Sequence, residues 1–327
     1  DWMITKNGDA GIYLRGTPQV QIWDTARYDV GAQVGSGGLY NNQKHRSTPL
    51  TLADNKIGEW NTFRIIMKGE RVTVYLNGVL VVDNVSMENY WDRKLPIFEE
   101  EQIELQAHGT HVAYRDIYIK ELPRPKRFEL SPEEKAEGFK MLFDGVNMNE
   151  WVGNLEGYVP EDGILQVYPN RGRGNLYTKD EYADFVFRFE FNLTPGANNG
   201  LGIRAPLTGD AAYVGSELQI LDNDAPIYAN LAPYQYHGSL YGVMPSKRGY
   251  LKPTGEWNYQ EVTVKDTYIK IVLNGTTILE GDWAEASKNG TADKREHPGL
   301  KNRKGHIGFL GHGDKLKFRN IRIKELK

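Results

Sequence analysis

Glu217 and Gln219 alternate with Leu218 and Ile220 in the run Glu217-Leu218-Gln219-Ile220-Leu221. In a strand, successive side chains leave on opposite faces. Glu217, Gln219 and Leu221 then share one face, and Leu218 and Ile220 serve a core. A carboxylate beside an amide on an open sheet face can accept a proton and hold hydroxyls; the plainer reading is a solvated strand face. His312 stands between Gly311 and Gly313. Small neighbours let a substrate approach its imidazole, which titrates near neutrality and could serve as acid or base. A turn histidine with a structural hydrogen bond is the alternative. Arg204 ends the run Leu201–Arg204. Its planar fork could hold hydroxyls or an oxyanion, or pair with Glu217 for structure alone. Asp222 follows the Glu217 strand and suits an Asx turn as well as a site. Tyr241 could stack on a ring, donate its hydroxyl or pack in the core. His237, Lys247 and the Tyr234–Tyr236 stretch fall in a long connection that reads as a pocket rim.

Other chemistries are excluded. The chain has no cysteine, which removes disulfides, thiolate nucleophiles, thiolate-bound zinc and iron–sulfur clusters. No His-x-x-x-His, Glu-x-x-His or glycine-rich phosphate loop occurs, so a dinucleotide site is not expected. Carboxylate, histidine and glutamine side chains could hold a hard divalent ion, but no spacing demands one. With 40 basic and 43 acidic residues, the net charge of -3 argues against a nucleic-acid partner. No apolar run approaches the roughly 20 residues that span a bilayer as a helix.

The elements that must position these residues come in two copies. The chain has 327 residues, enough for about two domains. Ile103-Glu104-Leu105-Gln106-Ala107-His108-Gly109 parallels Ile307-Gly308-Phe309-Leu310-Gly311-His312-Gly313, and Tyr114-Arg115-Asp116-Ile117 parallels Phe318-Arg319-Asn320-Ile321. Upstream, Gly58-Glu59-Trp60-Asn61 matches Gly255-Glu256-Trp257-Asn258, Gln21-Ile22-Trp23-Asp24 matches Gln219-Ile220-Leu221-Asp222, and Gly11…Arg15 matches Gly200…Arg204. The order is the same in both. Arg71–Leu76 and Tyr268–Leu273 alternate with period two, and each ends in Asn-Gly, a type I′ hairpin signal. Short strands, Asn-Gly turns and very little helix predict an all-β antiparallel sandwich. The reading assigns residues 1–122 to a first copy, 123–137 to a Pro-rich linker with a short helix, and 138–327 to a second copy. In that helix Ser131 is the expected N-cap, Pro132 the first helical residue and Gly138 the stop. Asp1 aligns with Glu190, so the first copy has no counterpart of residues 128–189. Its strand edges and half its core should lie open unless earlier residues or the second copy cover them.

These residues in this order resemble the 3-keto-disaccharide hydrolase family. The resemblance rests on Phe139…Leu142-Phe143-Asp144-Gly145, Asn199-Gly200…Ile203-Arg204, Glu217–Asp222, Leu240-Tyr241-Gly242, Gly255-Glu256-Trp257-Asn258 and Gly311-His312-Gly313. It implies a concanavalin-like β-jelly-roll sandwich and action on 3-keto-glycosides in a periplasmic or extracellular carbohydrate-degrading system, with a carbohydrate as the partner. It implies a site in the second copy, with Glu217, His312 and Arg204 as catalytic groups and Gln219, Asp222, Tyr241, Asn199, His237 and Lys247 around the substrate. The first copy offers Arg15, Gln19, Gln21, Asp24, Tyr40 and His108 at matching positions. There Gln19 replaces Glu217, and an amide cannot act as a carboxylate base. The alternatives are a non-catalytic sugar-binding module and a conventional two-carboxylate glycosidase, which needs a second acid about 5–10 Å from Glu217.

Overall fold

The computed structural model describes residues 1–123 and 127–326; residues 124–126, the middle of the expected linker, and residue 327 lie outside the described residues. The chain is all-β and divides within that linker into two compact units. Every strand pairing in both is antiparallel. Among the described residues no helix is long and apolar enough to cross a membrane.

The second unit is a jelly-roll sandwich. One sheet runs in the order Trp151–Gly153, Leu176–Thr178, His306–Gly311, Asn198–Ala205, Ser216–Leu221. The other is centred on Phe185–Leu193, flanked by Leu316–Glu325 and Trp257–Lys265, and extended by the Tyr268–Leu273 and Thr276–Asp282 hairpin. Period-two patterning explains the layering. Phe185, Phe187, Phe189 and Phe191 all turn inward and are buried, while Arg188 and Glu190 face outward. From the opposite sheet Leu218, Ile220, Ile307 and Phe309 meet them, and Phe309 stacks on Phe318 with centroids 3.8 Å apart. Each such large side chain contributes about 1.5–3 kcal/mol by leaving water.

The helix at the head of this unit forms where the capping residues place it, over Pro132–Glu137. Ser131 accepts from Glu134 N, Glu134 returns the bond to Ser131 N, and Gly138 ends the helix at φ 87°. Two further α-helical segments, Ala211–Val214 and Trp283–Ser287, are capped by the side chains of Asp210 and Asp282.

The first unit has the sheets Thr17–Trp23, Asp9–Leu14, Glu104–Ala107 and Phe63–Lys68, Arg71–Leu76, Val79–Ser86, with Trp2–Ile4 paired to Val112–Tyr114. Its polar scaffolding repeats that of the second unit. Asn77 Nδ2 donates to Ala53 O and Asn61 Oδ1, as Asn274 Nδ2 donates to Tyr250 O and Asn258 Oδ1. Arg115 lies 4.0 Å over Trp60 and Arg319 lies 3.9 Å over Trp257. Burial differs, however. Ile117 and Ile119 are 66% and 80% exposed, whereas their counterparts Ile321 and Ile323 lie in the core.

Candidate active site

The Ser216–Leu221 strand is entirely buried, yet its two faces do different things. Leu218 and Ile220 enter the core, and Glu217, Gln219 and Leu221 line a pocket of about 400 Å³. On its inner side the strand pairs with Asn198–Ala205, placing Gly200 opposite Gln219 and Gly202 opposite Glu217. On its outer side the long connection folds back as a further layer: Gln219 N donates to Ser239 O, and Tyr241 N donates to Glu217 O. That backbone bond delivers Tyr241 to the pocket.

Gly200 makes room for the carboxylate. A Cβ there would sit 2.0 Å from Oε1 of Glu217 and 2.7 Å from its Cδ. The Glu217 side chain therefore folds over the backbone of the neighbouring strand, with Oε1 buried and without a hydrogen-bond partner among the described residues. His312 reaches it from beyond the end of His306–Gly311. Its Nε2 lies 3.6 Å from Glu217 Oε1, an ion-pair separation just outside hydrogen-bond reach. The Glu217 carboxylate raises the His312 proton affinity above the ordinary histidine value; burial opposes this, and Asp314 and Asp210 add to the rise. Gln219 donates from Nε2 to Asn198 Oδ1 at 2.8 Å, which fixes its amide.

Three expected residues lie elsewhere. Parity along its strand would aim Arg204 at the pocket beside Asn198, Gly200 and Gly202. A register shift between Gly202 and Ala205, with Arg204 at φ 47°, turns it away. Its guanidinium donates to Ala183 O, Asp266 O and Asn302 O and pairs with Asp184 at 2.8 Å, so it ties the sandwich together and does not contact Glu217. Asn199 is one residue out of phase: it points into the core and donates to the Tyr158 hydroxyl, and Asn198 takes the pocket position. His237 is buried against Phe191. Its Nδ1 accepts from Leu221 N and its Nε2 donates to Gln260 Oε1; burial pushes it down to about 4, so it stays neutral.

Two more candidates stand outside the pocket lining. Asp222 holds a turn, accepting from Gly196 N and Asp224 N. Lys247 is exposed, with its backbone N–H bonded to Ile278 O. Glu217, Gln219, Tyr241 and His312 are thus the expected residues that the fold brings together.

The pocket also contains groups that sequence reasoning missed. Asp210 caps Ala211–Val214 by accepting from Ala212 N, and Tyr213 follows from that helix. Both lie in the connection from Arg204 to Glu217, which is far longer than the Arg15–Gln19 connection; that length difference was the available signal. Arg295 comes from the loop after Trp283–Ser287, stacks 3.9 Å over the Tyr213 ring and donates to its hydroxyl. It is the only arginine among the described pocket residues. No group of three or more His, Asp or Glu capable of holding a metal ion occurs among the described residues.

The first unit repeats the arrangement with an amide. Gln19 lies over Gly11, donates to Gln21 Oε1, and Gln21 donates to Asp9, the counterpart of Asn198. Asp24 repeats the turn of Asp222, accepting from Asn7 N and Ala26 N. Arg15 shares the positive φ of Arg204, at 51°. Tyr40 and His108 are exposed. The tight turn from Leu14 to Thr17 leaves no space in this unit for a counterpart of Ala211–Val214.

The family model of the 3-keto-alpha-glucoside-1,2-lyase-like domain matches residues 1–120 and again 138–324. The chain belongs to that family. A curated relative, the 3-keto-disaccharide hydrolase of Bacteroides thetaiotaomicron, is 27% identical over 248 residues, covering 64% of this chain and 86% of the relative. Two solved structures from Parabacteroides distasonis, carrying the provisional designation glycosyl hydrolase, are also similar. One is 30% identical, with a TM-score of 0.51 and coverage of 57% of this chain and 99% of that one. The other is 26% identical, with a TM-score of 0.54 and coverage of 62% and 100%.

Proposed function

We propose that the second unit cleaves 3-keto-glycosides by proton abstraction, elimination and hydration, giving net hydrolysis of the glycosidic bond in a periplasmic or extracellular glycan-degrading system. The observation that carries this reading is the Glu217–His312 pair, 3.6 Å apart in a pocket whose hydroxyl-binding groups are Gln219, Asn198 and Tyr241. A 3-keto group acidifies the C2 proton. The carboxylate of Glu217 raises the proton affinity of His312 and so favours the carboxylate–imidazolium form of the pair. Glu217 is then the base that takes the C2 proton, electron density moves to the 3-oxygen, and His312 gives its proton to the departing C1 oxygen. Water adds to the resulting enone, and the pair returns to its starting state. The charge role expected of Arg204 passes to Arg295, whose guanidinium suits a developing enolate.

The test is to incubate the protein with 3-keto-glucosides and their unoxidised parents and follow product release. Turnover of the keto sugars alone supports the reading, and comparable cleavage of the parents sinks it. One observation favours a second reading: Asp210 places another carboxylate in the Glu217 pocket, as a conventional glycosidase needs. Cleavage of an unoxidised glycoside that is lost in Asp210→Asn would establish that alternative.

A further inference from the structure

Behind the pocket wall lies a second acid–histidine pair that the chemistry above does not use. Asp293 and His297 are almost completely buried, and His297 Nε2 lies 3.1 and 3.0 Å from the two Asp293 oxygens. The pair joins three elements at once. Asp293 Oδ1 accepts from the backbone N–H of Arg295 at 3.0 Å, and Asp293 N donates to Gly242 O at 3.1 Å. The His297 ring packs 4.8 Å from the ring of Tyr213. Burial pushes the Asp293 carboxyl up, but the bonds from Arg295, His297 and Thr291 hold it below the usual carboxylate range.

Each of these anchors adjoins a pocket residue: Gly242 follows Tyr241, Tyr213 bears the Arg295 stack, and Arg295 itself projects into the pocket. Gly242 is shaped around the pair. It sits at φ +72°, and a Cβ there would lie 2.5 Å from Asp293 Oδ2 and 2.7 Å from His297 Nε2. An arginine loses considerable rotamer freedom when fixed in one place, and here the fixing is done through its own backbone and through the ring on which it lies.

We infer that Asp293 and His297 form a buried clamp whose task is to hold Arg295 on Tyr213 at the pocket, making Asp293 a positioning residue for this site. The inference rests on the catalytic reading of the pocket. The clamp touches no substrate and acts only through Arg295.

The experiment is a double-mutant cycle of Asp293→Asn and Arg295→Ala, with Gly242→Ala as a second route to the same loop. Kinetics use a 3-keto-glucoside, thermal melts follow folding, and a crystal structure of Asp293→Asn reads the arginine position. Arg295→Ala should lower kcat about 100-fold, the usual cost of losing a donor to a developing oxyanion. Asp293→Asn and Gly242→Ala should each lower kcat about tenfold or more with KM less affected, and the crystal should show Arg295 off the Tyr213 ring. In the Arg295→Ala background Asp293→Asn should cost less than twofold, because the residue through which it acts is gone. Additive losses would overturn the clamp, as would Arg295 remaining on Tyr213 in the Asp293→Asn crystal. The crystal readout holds even if the wild-type protein turns over no 3-keto sugar, an outcome that would refute the function and leave the clamp judged on structure. A low melting temperature in Asp293→Asn shifts the kinetic test to Gly242→Ala, where full activity would overturn it equally.

Discussion

Gly200→Ala should damage catalysis without removing a single functional atom. The added methyl would lie 2.0 Å from Glu217 Oε1 and 2.7–2.8 Å from Cδ and Cγ. An ordinary contact is nearer 3.4 Å, so the carboxylate must retreat by more than about 1 Å, out of line with His312 and the substrate. Misplacement on that scale costs on the order of 10²-fold in rate, or about 2.7 kcal/mol of transition-state stabilisation. The backbone has no objection, because Gly200 is not among the residues with positive φ. Alanine also loses less entropy than glycine in a strand, by roughly 0.5–1 kcal/mol, so the melting temperature should hold. The assay is steady-state kinetics on a 3-keto-glucoside beside a thermal melt, with Gly11→Ala as control. Gly11→Ala makes the same collision with Gln19, at 2.7 Å from Cδ, and should leave turnover unchanged. Wild-type kcat in a folded Gly200→Ala protein, or an equal loss in Gly11→Ala, would refute the assignment of the reaction to the seat beneath Glu217.

Glu217→Gln should lower the rate by roughly 10²–10⁴-fold, the range for general acid–base catalysis, while Gln19→Glu changes it little; turnover measured on both variants decides this. The rate should fall on the alkaline side above a pKa higher than 6.5, because His312 must be protonated to act as acid and Glu217 raises its proton affinity; a pH–rate profile should show that limb moving to lower pH in Glu217→Gln. His237 is held near 4 in the folded protein against an ordinary 6.5. The unfolded chain therefore binds the extra proton first, so stability is intact above pH 6.5 and declines as pH falls toward 4, by up to about 3 kcal/mol. Urea unfolding of the second unit at both ends of that window should show the loss, and His237→Gln should reduce it. Ser131→Ala should cost about 1 kcal/mol through the lost N-cap, visible as a lower unfolding midpoint.

The layering of the second unit was legible because period-two patterning is a local signal. The alternation in Tyr268–Leu273 and Glu217–Leu221 assigns each residue to a face before any contact is known. The Ser131 cap and the Asn-Gly turns were legible for the same reason. The same parity rule failed at Arg204, where a register shift and a left-handed backbone turn one residue out of phase. Asn199, which the resemblance put beside the substrate, points into the core, and the pocket face belongs to Asn198. Arg295 was invisible because its place depends on the local Asp293–His297 pair meeting Gly242 and Tyr213 across long sequence distances.

The doubled scaffold has a consequence for how relatives are sorted. The Asn77 and Asn274 clamps, the arginine–tryptophan stacks and the glycines beneath Gln19 and Glu217 occur in both units. The family model correspondingly matches both. Hairpin, turn and packing chemistry of this kind holds a fold together whether or not a unit turns over a substrate. Gly200 supplies no reacting group, yet a side chain there would collide with the Glu217 carboxylate. The informative letter is the one above the glycine. Grouping family members by carboxylate or amide at the position of Glu217, and by the length of the connection before it, would sort them by the two features in which the units of this chain differ.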